Sequence, residues 1–373
     1  MALPNNRLLS LDAFRGLTVA AMILVNNPGS WAKIYPPLKH AEWHGCTPTD
    51  LVFPFFLFIV GVAIVFALQT KKTDPGNHNQ LLIKAAKRGC ILFLLGLLLA
   101  LYPKFNFETV RIMGVLQRIG VVYFICAAIF IKTKPKTQFI IMTSILVVYW
   151  ILMTFVPVPG FGAPNLEKET NLAAWADRLI LTENHTWKSS KTWDPEGILS
   201  TMPAVATGLF GMLIGGILKN KEKSAAERTA WLFSFGFIAW ILGMTWGLFF
   251  PINKSLWTSS YVLYCGGLAS MGLALFYWVI DVQGHSRWCK IFVAYGVNAI
   301  TVFFLSAVIA KTMGMIKLSR NGEEVNLHTW LYKTFFTSWL PADLASLAWA
   351  LTFVLLFLLL LWPMYKKNWI IKV

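Results

Sequence analysis

The chain has 373 residues, of which 57% are hydrophobic and only 13% are charged, and its net charge is +16. Soluble globular proteins carry charge on about 25% of their residues, and disordered chains combine low hydrophobicity with high charge, so the composition argues against both classes. The basic residues lie in short runs between apolar segments, which is typical of membrane proteins and argues against nucleic acid as a partner.

Ten segments are apolar and long enough, at about 20 residues, to cross a bilayer as helices. They are 10–27, 50–69, 88–102, 112–131, 138–156, 200–218, 229–250, 259–280, 291–310 and 342–363. The sequence therefore predicts an all-α polytopic integral membrane protein in the lipid bilayer, with residues 1–373 as a single transmembrane domain. Lys and Arg are denser in the loops on the same side as the two termini, and such loops are usually cytoplasmic, so both termini are predicted to lie in the cytoplasm. In that orientation the long loops 28–49, 157–199 and 311–341 are external.

The first predicted span carries polar residues along one face. Asp12 and Arg15 are three residues apart, and Asn26 follows about three helical turns beyond Arg15 on the same side. A charge inside a membrane costs about 2.5–3.5 kcal/mol, so such residues usually have a function. The stripe predicts a polar path from an ion pair near the inner side to an amide near the outer side. The alternative is a buried ion pair that locks neighbouring helices, with Asn26 as an end cap.

The first external loop contains His40, Glu42, Trp43 and His44. Histidine exchanges protons near neutral pH, so this group is a candidate acid/base cluster. The alternative is that these are solvated surface histidines. Cys46 follows, but no fourth ligand at a fitting spacing accompanies it, so no metal site is predicted.

Two further segments have the pattern of a helix start. Thr47 and Asp50 enclose a proline, and structural capping is the main interpretation of this pair. Asp194 and Glu196 precede the sixth span, where acids favour the positive end of a helix. An external carboxylate at either position also suits a cationic sugar amine.

The fourth span begins with Arg111, and Arg118 follows two turns later on the same face, with Gln117 beside it. An arginine fork can hold a phosphate or a carboxylate with two hydrogen bonds. The alternative is that Arg118 neutralises Asp12 or another buried carboxylate. Other polar positions predicted to face a cavity are Asn253, Lys254, Ser260 and Asn298.

A series of short blocks runs across nearly the whole chain. They are Leu11–Gly16 (LDAFRG), Val25-Asn26, Lys39–Trp43 (KHAEW), Asp50–Phe55 (DLVFPF), Arg111–Arg118 (RIMGVLQR), Asp194–Leu199 (DPEGIL), Pro251–Tyr261 (PINKSLWTSSY) and Gly296–Asn298. Together, and in this order, they resemble the heparan-α-glucosaminide N-acetyltransferase family.

The resemblance implies transmembrane acetylation, in which acetyl-CoA from the cytosol supplies an acetyl group for the glucosamine amine of a saccharide on the far side. It makes His40 the catalytic histidine, as general base or acetyl carrier, and Asn26 its partner, with Asn27 as the second choice. The chain is expected to be a compact bacterial member of the inner membrane, without the extra luminal domain and N-terminal span of the animal enzyme. A homodimer is common in this family.

The expected binding residues follow from this resemblance and from the polar positions. Those for an aminosugar acceptor are Trp43, Asp50, Asp194, Glu196, Asn253 and Lys254. Those for acetyl-CoA are Asp12, Arg15, Lys87, Arg88, Arg111, Gln117, Arg118, Ser260 and Asn298. The main alternative is an aminosugar or muropeptide transporter without acetyl transfer, followed by an O-acetyltransferase of envelope polysaccharide and by a membrane scaffold.

Overall fold

The computed structural model describes residues 8–320 and 322–371. These ranges contain thirteen α-helices: α1 Leu9–Asn26, α2 Val52–Leu68, α3 His78–Leu101, α4 Val115–Lys132, α5 Pro135–Phe155, α6 Leu172–His185, α7 Ile198–Lys219, α8 Ala225–Trp246, α9 Ser259–Phe276, α10 Lys290–Val297, α11 Ala299–Met315, α12 Leu327–Phe335 and α13 Ala342–Lys366. A 3-10 turn, Pro48–Leu51, leads into α2, and a π-helix, Tyr277–Val282, continues α9. The antiparallel strands β1 Lys317–Arg320 and β2 Glu323–Asn326 form one hairpin.

Eight helices of the described chain are long and apolar enough to cross a membrane: α1, α2, α4, α5, α7, α8, α9 and α13. The predicted all-α polytopic membrane protein is thus confirmed, with a difference in the number of spans. The third predicted span, 88–102, corresponds to α3, whose first half contains Lys84, Lys87 and Arg88, and α3 lies outside this set. The ninth, 291–310, is broken into α10 and α11, which meet at an angle of 79° and make a ninth crossing if they are counted as one.

Helices α2 and α7 pack with their backbones in direct contact. A methyl group at Gly61 of α2 would lie 2.0 Å from the carbonyl oxygen of Gly208, and one at Gly211 of α7 would lie 2.0 Å from that of Phe58. Only glycine permits this approach, because any side chain would force the two helices apart. The contact fixes the start of α2, which follows Asp50, relative to the start of α7, which follows Glu196.

The bundle has two ends, which we name by the residues near them. Arg15 lies in the first half of α1, and the segment that follows α1 contains His40. Helix α2 returns in the opposite direction. Arg15 of α1 and Ala67 of α2 therefore line one cavity, and Met22 of α1 lies with Phe53 of α2 nearer the other end of the bundle. We call these the Arg15 end and the His40 end. The three loops predicted to be external lie at the His40 end, whereas the placement of both termini in the cytoplasm stays a prediction.

Candidate functional site

His40 and Asp50 form a hydrogen-bonded pair at the His40 end of the bundle. The imidazole Nδ1 lies 2.6 Å from Oδ1 of Asp50. The His40 side chain is 46% exposed, whereas that of Asp50 is 1% exposed. A buried carboxylate on Nδ1 selects the tautomer that carries its proton there, which leaves Nε2 free to accept a proton from the exposed side.

The Asp50 carboxylate is held by three further donors. Its Oδ2 accepts hydrogen bonds from the backbone N–H groups of Ala41 and Thr47 and from the Thr47 hydroxyl, each at 3.0 Å. Its backbone carbonyl accepts one from the Tyr261 hydroxyl at 2.6 Å. The predicted cap at Thr47 is present, and the same acid also orients His40. Asp50 therefore orients His40 and its own helix turn, and its contact with the acceptor stays a prediction.

Asn26, predicted as the partner of His40, is the last residue of α1, and its side chain is exposed. Among the described residues it forms no side-chain hydrogen bond. Asn27 is turned back onto its own helix, where its Nδ2 donates to the carbonyl of Ile23 at 2.8 Å. The pairing of Asn26 with His40 that the resemblance implies is therefore not formed in this structure.

Trp43 and His44 connect the His40 loop to its neighbours. The indole N–H of Trp43 donates to the carbonyl of Leu166 at 2.8 Å, and its ring lies edge-on to Trp193 at 5.1 Å. His44 lies 3.4 Å from the side chain of buried Asn253, and its desolvation lowers its pKa. These contacts fix the loop that carries His40, so Trp43 has a structural role beside the acceptor contact predicted for it.

Two other predicted binding residues in this region form hydrogen bonds with backbone groups of the protein. Asn253 is fully buried, and its Oδ1 accepts the Leu256 N–H at 2.9 Å. Ser260 is also fully buried and donates to the carbonyl of Phe250 at 2.6 Å. Both stabilise the turn before α9.

Arg111 is bound by two acids that the sequence analysis treated separately. Its guanidinium donates to both oxygens of Asp194, with Nε 2.8 Å from Oδ2, and also to Glu196. Despite the cost of burial, these carboxylates raise the pKa of Arg111. Burial alone would raise the pKa of Glu196, but Arg111 and Lys254 hold it below its usual range. Asp194 and Glu196 are thus paired with a protein cation rather than open to a sugar amine.

Arg118 is fully buried and contacts the start of α7. Its guanidinium donates to the carbonyl of Gly197 at 3.1 Å and to the Ser200 hydroxyl, and lies over the Trp257 ring at 5.1 Å. It does not neutralise Asp12, since Asp12 pairs with Arg15 at 3.1 Å.

Asp177 on α6 is a buried acid that the sequence analysis missed. It is 2% exposed and accepts the backbone N–H groups of Asp194 at 3.1 Å and Ile198 at 2.8 Å. Burial raises the pKa of Asp177 to about 7. A signal was present in the sequence, because Asp177 falls on the buried stripe that α6 forms with Ala173, Ala174 and Leu181.

A cavity of about 810 Å³ opens at the His40 end between α3, α4 and α11. Its polar wall contains Gln117, Trp187 and four cations, which are Lys104, Arg111, Lys188 and Lys311. Gln117 is 3% exposed, and a methyl group at Gly96 would lie 2.2 Å from its Oε1. The glycine therefore makes room for the amide at the cavity wall.

A second cavity, of about 510 Å³, lies at the Arg15 end. Four residues predicted to bind acetyl-CoA line it: Asp12, Arg15, Arg88 and Asn298. The Arg88 guanidinium lies over the Tyr123 ring at 4.8 Å, and no described residue accepts a hydrogen bond from its buried Nε. Lys87, next to it in sequence, is exposed and lies outside this cavity.

A small apolar void, which we call the collar, lies between the two cavities. It encloses about 10 Å³ and is lined by Met22, Phe53, Phe56, Val115, Leu116, Ile119, Ile300 and Phe303. Phe56, Ile119 and Ile300 also line the cavity at the Arg15 end, and Val115, Leu116 and Phe303 also line the one at the His40 end. The cavities are thus aligned across the bundle and separated by the thickness of a few apolar side chains.

No metal centre is apparent in the part of the chain that the structure describes. Residues 8–320 and 322–371 contain no cluster of three or more His, Cys, Asp or Glu side chains arranged to hold an ion.

Comparison with known proteins identifies a family. The family model described as "Heparan-alpha-glucosaminide N-acetyltransferase, catalytic" matches residues 7–244. The heparan-α-glucosaminide N-acetyltransferase of Mus musculus is 31% identical over 351 residues, covering 80% of this chain and 53% of the mouse protein. The Homo sapiens protein of the same name is 32% identical over 356 residues, covering 81% of this chain and 53% of the human protein. The chain therefore spans about half the length of the curated relatives that it matches.

Proposed function

Because this chain belongs to the heparan-α-glucosaminide N-acetyltransferase family, we propose that it is a membrane-embedded acetyltransferase, contained in one transmembrane domain. It moves the acetyl group of acetyl-CoA to the amine of a glucosamine-type sugar. The observation that carries the proposal is the His40–Asp50 pair at one end of a bundle whose other end holds a cavity with two arginines. The proposed location is a bacterial inner membrane, with the Arg15 end facing the cytosol.

The cavity at the Arg15 end is the proposed donor site. Arg15 and Arg88 present guanidinium groups there, and guanidinium groups are well matched to phosphate oxygens. The buried Nε of Arg88 has no partner among the described residues, so a bound phosphate or water would satisfy a costly orphan donor. In this arrangement the CoA phosphates bind at the Arg15 end, and the pantetheine arm extends through the collar toward His40.

His40 is the proposed base at the far end. A sugar ammonium must lose a proton before its nitrogen attacks a thioester carbonyl, and the free Nε2 of His40 can accept that proton. The amine nitrogen then forms a bond to the acetyl carbon, and the carbon–sulfur bond breaks. The imidazolium returns its proton to the CoA thiolate, and the nitrogen loses its second proton through His40 to the solvent at the same end, so that one proton is released for each acetyl group transferred. In the covalent variant, Nε2 attacks the thioester first and the amine then attacks acetyl-His40.

Asp50 and Asn26 have supporting roles in this proposal. Asp50 holds the imidazole in one tautomer and stabilises the imidazolium that forms during transfer. Asn26 ends α1 at the same end with an exposed amide, which is available to donate to the developing oxyanion. One such donor is typically worth about 3 kcal/mol of barrier.

The test uses purified protein in liposomes, with labelled acetyl-CoA on one side and glucosamine on the other. Wild type, His40→Ala and the control Glu183→Gln are compared, since Glu183 is an exposed acid that lines neither cavity. We expect labelled N-acetylglucosamine from the wild type and the control only. Labelled sugar that crosses the membrane without being acetylated would overturn the proposal in favour of a transporter.

A further inference from the structure

The wall of the 810 Å³ cavity at the His40 end carries an excess of positive charge. Of its four cations, Arg111 is neutralised by Asp194 and Glu196. No described carboxylate lies within 4.0 Å of the ammonium groups of Lys104, Lys188 or Lys311. No Asp or Glu of the described chain is among the lining residues. Three positive charges therefore share this cavity without a paired acid.

The three lysines are held in place by different parts of the chain. Lys311 on α11 donates to the carbonyls of Leu99 and Tyr102, at 2.5 and 3.0 Å, which fixes it at the end of α3. Lys104 lies in the segment that follows α3, and Lys188 follows Trp187 in the loop after α6. Lys104 and Lys188 are exposed and can turn toward a ligand.

The rest of the wall suits a saccharide. Trp187 presents an aromatic surface against which the apolar face of a sugar ring can pack, and its ring is supported edge-on by Trp193 at 5.3 Å. Gln117 supplies an amide donor and acceptor, and no described residue forms a hydrogen bond with its side chain. The volume lies in the range of about 300–1,000 Å³ that is usual for small-molecule sites.

We infer that this cavity binds a small amino sugar that carries an anionic substituent, such as a phosphate, a sulfate or a carboxylate. The inference rests on the proposed function and specifies the acceptor class. An anion on the sugar pairs with the lysine ammonium groups at the rim. The same positive field disfavours the protonated form of the sugar amine, because like charges repel. The cavity therefore selects the anionic sugar and also keeps a larger fraction of its amine in the neutral form, which is the nucleophile.

The test measures binding by titration calorimetry on the purified protein without acetyl-CoA. The probes are glucosamine 6-phosphate, glucosamine and inorganic phosphate. We expect glucosamine 6-phosphate to bind at least about tenfold more tightly than either of the others, and that preference to shrink as salt screens the charges. Because the measurement involves no acetyl transfer, it can confirm or contradict this binding preference independently of the proposed reaction.

The variant Lys104→Ala/Lys188→Ala removes the two exposed cations. Its matched control, Lys136→Ala/Lys221→Ala, removes the same charge at exposed positions outside both cavities. We expect about tenfold weaker binding of glucosamine 6-phosphate in the first variant, little change in the second, and no weaker binding of glucosamine in either.

Four outcomes would overturn the inference. The first two are equal affinity for glucosamine and its phosphate, and no measurable binding of any probe. The third is that the double variant weakens acetyl-CoA binding instead, which would assign the cavity to the donor. The fourth is that added phosphatidylglycerol, rather than the sugar phosphate, binds in a lysine-dependent way, which would assign it to a lipid headgroup.

Discussion

Oδ1 of Asp50 lies 2.6 Å from Nδ1 of His40, and Oδ2 of the same carboxylate accepts the hydrogen bonds that begin helix α2. One buried acid thus ties the orientation of an exposed imidazole to the backbone of a membrane-spanning helix. The imidazole is oriented before any substrate arrives, so little reorganisation is needed when it takes a proton.

Asp50→Asn is expected to lower kcat strongly with little change in the KM for acetyl-CoA. An amide that donates to Nδ1 would select the wrong tautomer and place the proton on Nε2, where a base is needed. His40→Ala is expected to abolish transfer, and Glu183→Gln to retain it. Steady-state kinetics check this. Full activity of Asp50→Asn would show that the pair has only a structural role.

Arg111→Ala is expected to destabilise the protein by about 3–5 kcal/mol, because it leaves buried Asp194 and Glu196 without their cation. Arg111→Lys keeps the charge but loses the bidentate hydrogen bonds to Asp194, so the decrease in its free energy of unfolding should be intermediate. Thermal unfolding in detergent measures both. Arg287→Ala, at an exposed position, is the control and should match the wild type. Equal stability of Arg111→Ala and wild type would contradict the prediction.

Asp177 is expected to give the protein a measurable pH dependence of stability. Its pKa is raised by burial to about 7 in the folded state, whereas an Asp in an unfolded chain titrates near about 3.9. Between these values the folded state holds a proton that the unfolded state has lost, so this group's contribution to stability falls as pH rises, and levels off above about 7.

The measurement for Asp177 is the unfolding temperature of wild type and Asp177→Asn from pH 5 to pH 8. Asn resembles the protonated acid, so the wild-type value should fall relative to that of Asp177→Asn as pH rises to about 7. Glu169→Gln, an exposed acid three residues before the start of α6, is the control and should follow the wild type. A constant difference between wild type and Asp177→Asn across this range would rule out the raised pKa.

Arg88→Ala is expected to raise the KM for acetyl-CoA by at least about tenfold while leaving kcat nearly unchanged. This rise in KM corresponds to losing one hydrogen bond to a charged group, which contributes about 1.5–3 kcal/mol of binding free energy. Lys84→Ala, an exposed position on the same helix, should retain the wild-type KM. A normal KM in Arg88→Ala would show that the donor binds elsewhere.

Phe303→Ala is expected to relax the selection of the acyl group. Phe303 lines both the collar and the cavity at the His40 end, and removal of its ring would enlarge the collar. Discrimination against one extra methylene is worth about 1–3 kcal/mol, so kcat/KM for propionyl-CoA relative to acetyl-CoA should rise by about tenfold or more. Phe304→Ala, next to it on α11 but outside the collar, is the matched control. An unchanged ratio in Phe303→Ala would exclude the collar as the filter.

The helical membrane fold was predictable because apolar length is a local property of the sequence. The break at Asn298 was not, because a 79° bend depends on how α10 and α11 pack. The resemblance drew attention to His40, but its contact with Asp50 depends on how the nine residues between them fold back. The bond from Arg111 to Asp194 joins residues 83 positions apart. Each of these residues had a plausible external ligand when considered alone, and only the fold shows that they satisfy each other.

The collar also determines where the membrane voltage acts. Two cavities with charged side chains in their walls reach into the bundle from opposite ends, and only a few apolar side chains separate them. Much of the electrical potential therefore falls across that short layer, where moving one elementary charge is worth about 2.3 kcal/mol per 100 mV. A proton or an ammonium group crossing there would be coupled to the voltage. An acetyl thioester is neutral, so the reaction proposed for this protein would proceed at the same rate in an energised and a de-energised cell.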